Sequence, residues 1–250
     1  MLCQAVLTIA GLCALTAQAA TSLSHTRLVL SPGQPEVSPR VMNEGKQPVL
    51  LQLWFDTGTR DADPRAIVVP FVVVPPVLRL EPGATKRLRI MYTGHASPPA
   101  DRESVYWLNV LEIPPKTGQA DADRLQISFR TRVKVFFRPA SLRVAPHPHE
   151  ALQFELRRQG ERQTLRITNP TPIHQTLLDL AIGQGGAGAP AQALQPPDML
   201  EPGASIELPI VPVRDGRTRA VRVTYSVIDD YGAVVEGARE LAGSSQPASW

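Results

Sequence analysis

Few residues in this 250-residue chain have the type and spacing that a chemical step requires. The glycine-rich run at 183–188 fits a dinucleotide-binding pattern, but Pro190 and Pro196 exclude the helix that must follow it, so a loop is expected. His147 and His149 have no third ligand and no cysteine beside them. No serine, cysteine or pair of carboxylates is accompanied by the residues that would complete a catalytic site. We therefore expect a binding protein and not an enzyme, with no metal or cofactor, and with its five histidines at the surface.

The strand predicted at 125–137 is the strongest candidate for binding, because apolar and polar residues alternate along it until Pro139. A period of two places three large apolar side chains on one face: Leu125, Ile127 and Phe129. An exposed strand of this kind can pair with another chain while its side chains fill a groove in the partner. The alternative, which the pattern alone favours, is that these side chains face the core of their own domain.

Many short strands must position these residues. Glycine, proline and Asn or Asp turns separate six strand-like runs, at 26–30, 49–55, 67–74, 86–92, 104–112 and 125–137. Five similar runs follow Pro139, and 25 prolines make long helices unexpected. The predicted fold class is all-β, with two β-sandwich domains at 21–138 and 139–241. A repeat of Leu-Glu-Pro-Gly-Ala, at 80–84 and 200–204, is compatible with related domains or with chance.

The two ends of the chain differ from the predicted domains. The first 20 residues are apolar and end in a small-x-small pattern, which predicts a secretory signal peptide at 1–20, although no Lys or Arg precedes the apolar run. A buried strand or a membrane anchor is the alternative, but the run falls short of the ~20 apolar residues of a span. Cys3 and Cys13 both lie in this segment, so no disulfide is expected in the domains. The tail at 242–250 is expected to be disordered.

Several motifs, in order along most of the chain, resemble the periplasmic chaperones of the chaperone–usher pilus pathway. They are HTRL at 25–28, PPVLRLEPG at 75–83, DRESVYWLNV at 101–110, EIPP at 112–115, RVKVFFRP at 132–139, NPTP at 169–172 and DYG at 230–232. The resemblance implies two immunoglobulin-like β-sandwich domains in an L-shaped arrangement. It also implies a periplasmic location and two kinds of partner, pilus subunits and the outer-membrane usher.

Donor and anchor residues follow from the same resemblance. Leu125, Ile127 and Phe129 are similar in position to the donor residues that fill the groove of a subunit lacking its last strand. Arg27 and Lys134 match the basic pair that holds the subunit's C-terminal carboxylate in the cleft between the domains. Arg offers a planar fork and Lys a point charge to such a carboxylate. Two ordinary solvated charges are the alternative.

Glu103, Arg138 and Asp230 match a buried charge network that orients one domain on the other in this family, with surface ion pairing as the alternative. An exposed donor edge also makes self-association of the free chaperone plausible. The formal charge of +3 is small and scattered, so no nucleic-acid partner is expected. The competing functional hypotheses are an exported structural or adhesive surface subunit and an exported hydrolase, for which no acid–base pair is found.

Overall fold

The computed structural model describes residues 20–59, 63, 67–94, 98–115, 127–184, 191–212 and 221–241, so most of the predicted signal peptide and the whole predicted tail lie outside the described residues. The strands of the first half are β1 (Thr21–Leu23), β2 (Arg27–Leu30), β3 (Glu36–Val37), β4 (Arg40–Asn43), β5 (Val49–Asp56), β6 (Phe71–Val74), β7 (Val77–Leu80), β8 (Thr85–Arg87), β9 (Arg89–Tyr92), β10 (Ser104–Ile113) and β11 (Phe129–Phe137).

The second half begins with a short 3-10 helix (Pro148–Ala151). Its strands are β12 (Gln153–Gln159), β13 (Arg162–Thr168), β14 (Thr176–Gln184), β15 (Ala191–Leu194), β16 (Ser205–Ile210), β17 (Val221–Ile228) and β18 (Val234–Leu241). Among the described residues, no helix has the length and apolar character needed to span a membrane.

Alternating burial along β5 illustrates why the first half forms a sandwich. Its inward residues are buried and the residues between them face outward; the buried set is Val49, Leu51, Leu53 and Phe55. β5 belongs to a five-stranded sheet of order β2-β11-β10-β5-β7. The apolar face of this sheet packs on residues of two three-stranded sheets, β1-β4-β8 and β3-β9-β6. The result is a closed hydrophobic core below the five-stranded sheet.

A second hydrophobic core lies between the sheets β12-β13-β16 and β15-β14-β17-β18. The two cores share no residue: Phe137 is the last member of the first, and Leu152 is the first member of the second. Two β-sandwiches are therefore present, as the sequence predicts. The division into domains at 138 and 139 stays a prediction.

The repeated Leu-Glu-Pro-Gly-Ala segments form equivalent turns. Gly83 and Gly203 adopt φ angles of 71° and 73°, in the left-handed region that favours glycine. The N–H of Gly83 donates to the carbonyl of Asn43 at 2.8 Å, and the N–H of Gly203 donates to that of Asn169 at 2.9 Å. The side-chain amides of the two asparagines bond back to the turns, at Leu80 and at Leu200. The same asparagine-bonded turn therefore occurs once in each sandwich.

In the first half of the chain, three predicted runs differ from the structure by more than one residue in their bounds or are divided. The run predicted at 86–92 divides at Leu88, because β8 pairs with β4 whereas β9 pairs with β3 and β6. The run predicted at 67–74 becomes a strand only at Phe71. The strand predicted at 125–137 begins at Phe129, where pairing with β10 begins.

The prediction that all five histidines lie at the surface is wrong for two of them. His149 is 9% exposed, and its carbonyl accepts a hydrogen bond from the Tyr225 hydroxyl at 3.0 Å. The His174 side chain is 5% exposed and lies 2.8 Å from a carboxylate oxygen of Glu103. Only the His174 side chain has a polar partner among these contacts, and the position of either histidine in the sequence does not reveal its burial.

Candidate binding site

Strand β11 lies next to the short outermost strand β2 of the five-stranded sheet, and β2 pairs with only part of it. β10 pairs with β11 along its whole length, from Glu112 opposite Phe129 to Ser104 opposite Phe137. On the other side, the register with β2 begins at Lys134 and continues to Phe137. In the part of the chain that the structure describes, no strand lies along the outer edge of β11 before Lys134. This half of β11 can accept a further strand.

The apolar alternation of β11 changes environment at Val133. From this residue onward the inward side chains are core members: Val133, Val135 and Phe137. Before it, on the same face, Thr131 is exposed and Phe129 is only partly buried. Ile127, two residues before the strand, is 45% exposed. The inward side chains are thus core members from Val133 onward and partly exposed before it, while Leu125 lies outside the described residues. That Ile127 and Phe129 enter a partner's groove stays a prediction.

Arg27 and Lys134 lie side by side, because they are directly opposed in the parallel pairing of β2 with β11. Arg27 is 8% exposed and donates from Nη1 to the Ile228 carbonyl at 2.7 Å, across to the second sandwich. Its guanidinium stands 5.7 Å from the centre of the Phe136 ring, and its buried Nε has no hydrogen-bond partner. Burial lowers the pKa of Arg27, although nearby carboxylates, first among them Asp230, oppose this effect.

The Lys134 ammonium already has a partner from the second sandwich. Its Nζ lies 2.8 Å from Oδ2 of Asp198, and the two side chains are 14% and 81% exposed, respectively. Asp198 belongs to the segment between β15 and β16. The two predicted anchor residues thus form one cationic site at the junction of the sandwiches, lined by Asp198 and by the carbonyl of Ile228.

The three residues of the predicted charge network come together at the same junction. Arg138 donates from Nε to Glu103 at 2.6 Å and binds both oxygens of Asp230 at 2.6 Å each. Burial alone would lower the pKa of Arg138, but its hydrogen bonds and charge pairing with Asp230 and Glu103 raise it above the usual value. The other oxygen of Glu103 accepts from the backbone N–H of His174 at 2.9 Å. His174 is a fourth member that no sequence motif indicates.

A second charged cluster, also absent from the sequence predictions, lies on the outer face of the sheet beside the open edge. Asp56 on β5 accepts from Arg132 at 2.6 Å and from the side-chain amide of Asn109 at 2.7 Å. Asn109 in turn accepts from Nε of Arg130 at 2.8 Å. Burial would raise the pKa of Asp56, but bonds from Asn109, the Gly58 N–H and Arg132 outweigh it and hold the pKa below its usual value.

Two tryptophans complete this cluster. Arg130 lies over the ring of Trp54 at 5.0 Å and Arg132 over the ring of Trp107 at 5.2 Å, both measured to the ring centre. The sequence does carry a signal for this cluster: Trp54 and Asp56 are two residues apart on β5, and Arg130 and Arg132 are two residues apart on β11, so each pair lies on one face of its strand. Strand register is needed to bring them together. The arginines on the outer face of β11 are thus held to the sheet and are not freely solvated.

Comparison with known proteins identifies the architecture. Residues 20–143 match the family model described as pili and flagellar-assembly chaperone, PapD N-terminal domain, and residues 148–239 match the model described as pili assembly chaperone PapD, C-terminal domain. The chaperone protein FimB/FhaD of Bordetella pertussis is 39% identical, covering 87% of this chain and 86% of that protein. The probable fimbrial chaperone YadV of Escherichia coli is 36% identical, covering 88% and 89%.

Solved structures agree with this assignment. The crystal structure of YadV chaperone aligns with a TM-score of 0.72 and 32% identity, covering 89% of this chain and all of that one (100%). SafB of Salmonella enterica, solved in complex with the SafA pilin, aligns with a TM-score of 0.70 over 90% of this chain and 98% of its own. At 23% identity, SafB supports the fold alone.

Proposed function

Because the chain belongs to the PapD family of pilus-assembly chaperones, we propose that it caps a pilus subunit by adding β11 to the subunit's incomplete sheet. It is a periplasmic chaperone of pilus subunits, which it delivers to the outer-membrane usher. The hypothesis of a surface subunit is set aside, because both family models and the relatives are chaperones. Export through a signal peptide at 1–20 remains part of the proposal.

The observation that carries the donor-strand proposal is the edge of β11 before Lys134, which no described strand covers, with Phe129 and Ile127 partly exposed beside it. Complete burial of one such side chain contributes about 1.5–3 kcal/mol. Since both side chains are already partly buried, the two together would add only about 1–3 kcal/mol on binding. Main-chain hydrogen bonds along the edge, at about 0.5–1.5 kcal/mol each, must therefore supply a comparable share. Leu125 would add a third apolar contact.

The anchor fixes where this pairing begins. Lys134 is the first residue of β11 that β2 covers, so a client end held by Lys134 and Arg27 lies against the limit of the open edge. A client strand that ends there and extends along Val133 to Phe129 must run parallel to β11, as β2 does. The terminal carboxylate thus sets the register, and the register decides which client positions meet the apolar side chains.

Co-expression with a candidate pilus subunit tests both parts. We expect Lys134→Ala and Arg27→Ala to abolish accumulation of the subunit in the periplasm, because the register is then lost. Ile127→Asp should do the same while the chaperone itself stays folded. Val234→Asp, at a 56% exposed position of the second sandwich, is the matched control and should leave accumulation unchanged.

Two results would count against the proposal. Unchanged subunit accumulation in both anchor variants would exclude the anchoring role. An unfolded Ile127→Asp chaperone, detected by circular dichroism, would show that Ile127 supports the core of its own domain. Self-association of the free chaperone through the same edge stays a prediction, which analytical ultracentrifugation can check.

A further inference from the structure

The cationic anchor already holds a carboxylate that belongs to the chain itself. Asp198 Oδ2 lies 2.8 Å from Lys134 Nζ, the separation of a direct ion pair. Its position is fixed by the second sandwich: two residues later, Leu200 is 1% exposed and exchanges two backbone hydrogen bonds with Gln175, at 2.8 and 3.0 Å. Pro196 and Pro197 precede it and stiffen the segment. The carboxylate is therefore presented to Lys134 by a well-anchored turn of chain.

Loss of the ion pair would affect Lys134 more than Asp198. Lys134 is largely buried and stands beside the cationic Arg27, so the removal of its counter-charge would leave two neighbouring cations poorly compensated. Asp198 is 81% exposed and would be well solvated without Lys134. Exposed carboxylates gain little from such pairs. Another carboxylate can therefore replace Asp198 at Lys134 with little loss to Asp198.

We propose that Asp198 is a stand-in for the client's terminal carboxylate: it occupies Lys134 in the free chaperone and leaves when a client end arrives. This inference rests on the anchoring role of Arg27 and Lys134 proposed above. Asp198 offsets the charge of Lys134 while no client is bound, and the need to displace it weakens the binding of every client. It is thus a residue that sets the affinity of the anchor for chain ends, without being part of the donor strand.

The expected effect is modest and has a definite sign. Asp198, the exposed partner, is screened by water, so the pair should contribute no more than a surface ion pair does, about 0–1 kcal/mol, and its removal should tighten client binding by up to about fivefold. Asp198→Asn keeps the shape of the side chain and removes its charge. Glu201→Gln is the matched control, because it removes the same charge from an exposed position three residues away, where no contact with Lys134 is formed.

The test uses the full chaperone and a synthetic peptide with the sequence of the C-terminal strand of the co-expressed subunit, made as a free acid and as a C-terminal amide. Fluorescence anisotropy gives the dissociation constants. We expect the free acid to bind Asp198→Asn more tightly than the wild type, and the amide to bind both equally. Glu201→Gln should match the wild type. In a Lys134→Met background, Asp198→Asn should have no further effect, because the competition requires the ammonium group.

The outcomes separate this inference from the proposal on which it rests. If Lys134→Met weakens binding of the free acid but Asp198→Asn leaves it unchanged or weakens it, the anchor stands and the stand-in role is refuted. The stand-in role would also be refuted if Asp198→Asn tightened the binding of acid and amide equally, or if Glu201→Gln tightened the binding of the acid as much. The loss of any negative charge near the anchor would then explain the result. If the wild type does not distinguish acid from amide, the anchoring proposal itself fails.

Discussion

The charge network at the junction of the two sandwiches gives the sharpest prediction, because its two arms differ in burial. The Glu103 side chain is 1% exposed, whereas that of Asp230 is 45% exposed, and Arg138 bonds to both. Arg138→Met keeps the length of the apolar stem and removes the guanidinium group. Glu103 then loses its closest charged partner in a buried setting, while Asp230 turns to water.

The magnitude follows from this asymmetry. Removing one partner from a buried charge pair costs about 3–5 kcal/mol. Glu103 keeps two hydrogen bonds at its other oxygen, from the backbone N–H and the ring of His174, so the cost should lie near the lower limit, at about 3 kcal/mol. Asp230→Asn leaves Glu103 paired with Arg138 and should cost no more than about 1 kcal/mol.

Urea denaturation followed by tryptophan fluorescence measures these changes, since Trp54 and Trp107 both lie in the first sandwich. Arg89→Met is the control: Arg89 also binds its carboxylate partner, Glu36, through two hydrogen bonds, but both side chains are exposed, and no measurable loss is expected. If Asp230→Asn were as destabilising as Arg138→Met, the argument from burial would be refuted. A loss below about 1 kcal/mol for Arg138→Met would refute it as well.

Two further predictions concern stability away from the junction. Asp56→Asn should lower the free energy of unfolding at neutral pH. Because the folded-state pKa of Asp56 is depressed, the stabilisation is complete above the usual pKa of about 3.9 and is lost as the pH falls through the folded pKa. Unfolding measured along an acid titration should therefore bring variant and wild type together only below about pH 4, and a difference that stays constant with pH would exclude this cause. Gly237→Ala should lower the free energy of unfolding by about 1–3 kcal/mol, because a Cβ there would overlap the buried ring of Tyr225. Gly33→Ala, with open space around it, should change it little, and equal effects of the two variants in thermal denaturation would contradict the packing argument.

The sequence predicts the fold and part of the site because motifs mark them locally. Turn signals and alternation define the strands of both sandwiches. In the structure Arg27 lies opposite Lys134, and Arg138 forms ion pairs with Glu103 and Asp230, while the roles assigned to these residues stay predictions. The motifs carry this information because each sits at a fixed position within a short strand or turn.

The remaining contacts depend on register and on the docking of the two sandwiches. Asp56 and Arg132 are 76 residues apart, and only the pairing of β5 and β11 with β10 brings them to 2.6 Å. Asp198 meets Lys134 only because the second sandwich presents it there. A pattern of single charges gives no sign of either pairing, since an exposed and a paired arginine look alike in sequence.

Along β11 the same alternation serves two different environments, and position decides which. From Lys134 onward β11 has β2 and β10 on its two sides, and from Val133 onward its inward side chains lie in the core and stabilise the chaperone itself. Before Lys134 no described strand covers the outer edge, and the strand is held extended by its pairing with β10 and, on its outer face, by the contact of Arg132 with Asp56. An edge that is ordered before its partner arrives loses less conformational entropy on pairing. If this edge is the donor strand, as proposed above, its pairing with β10 and the cluster around Asp56 would lower that entropic cost, because both hold the edge extended before a client binds.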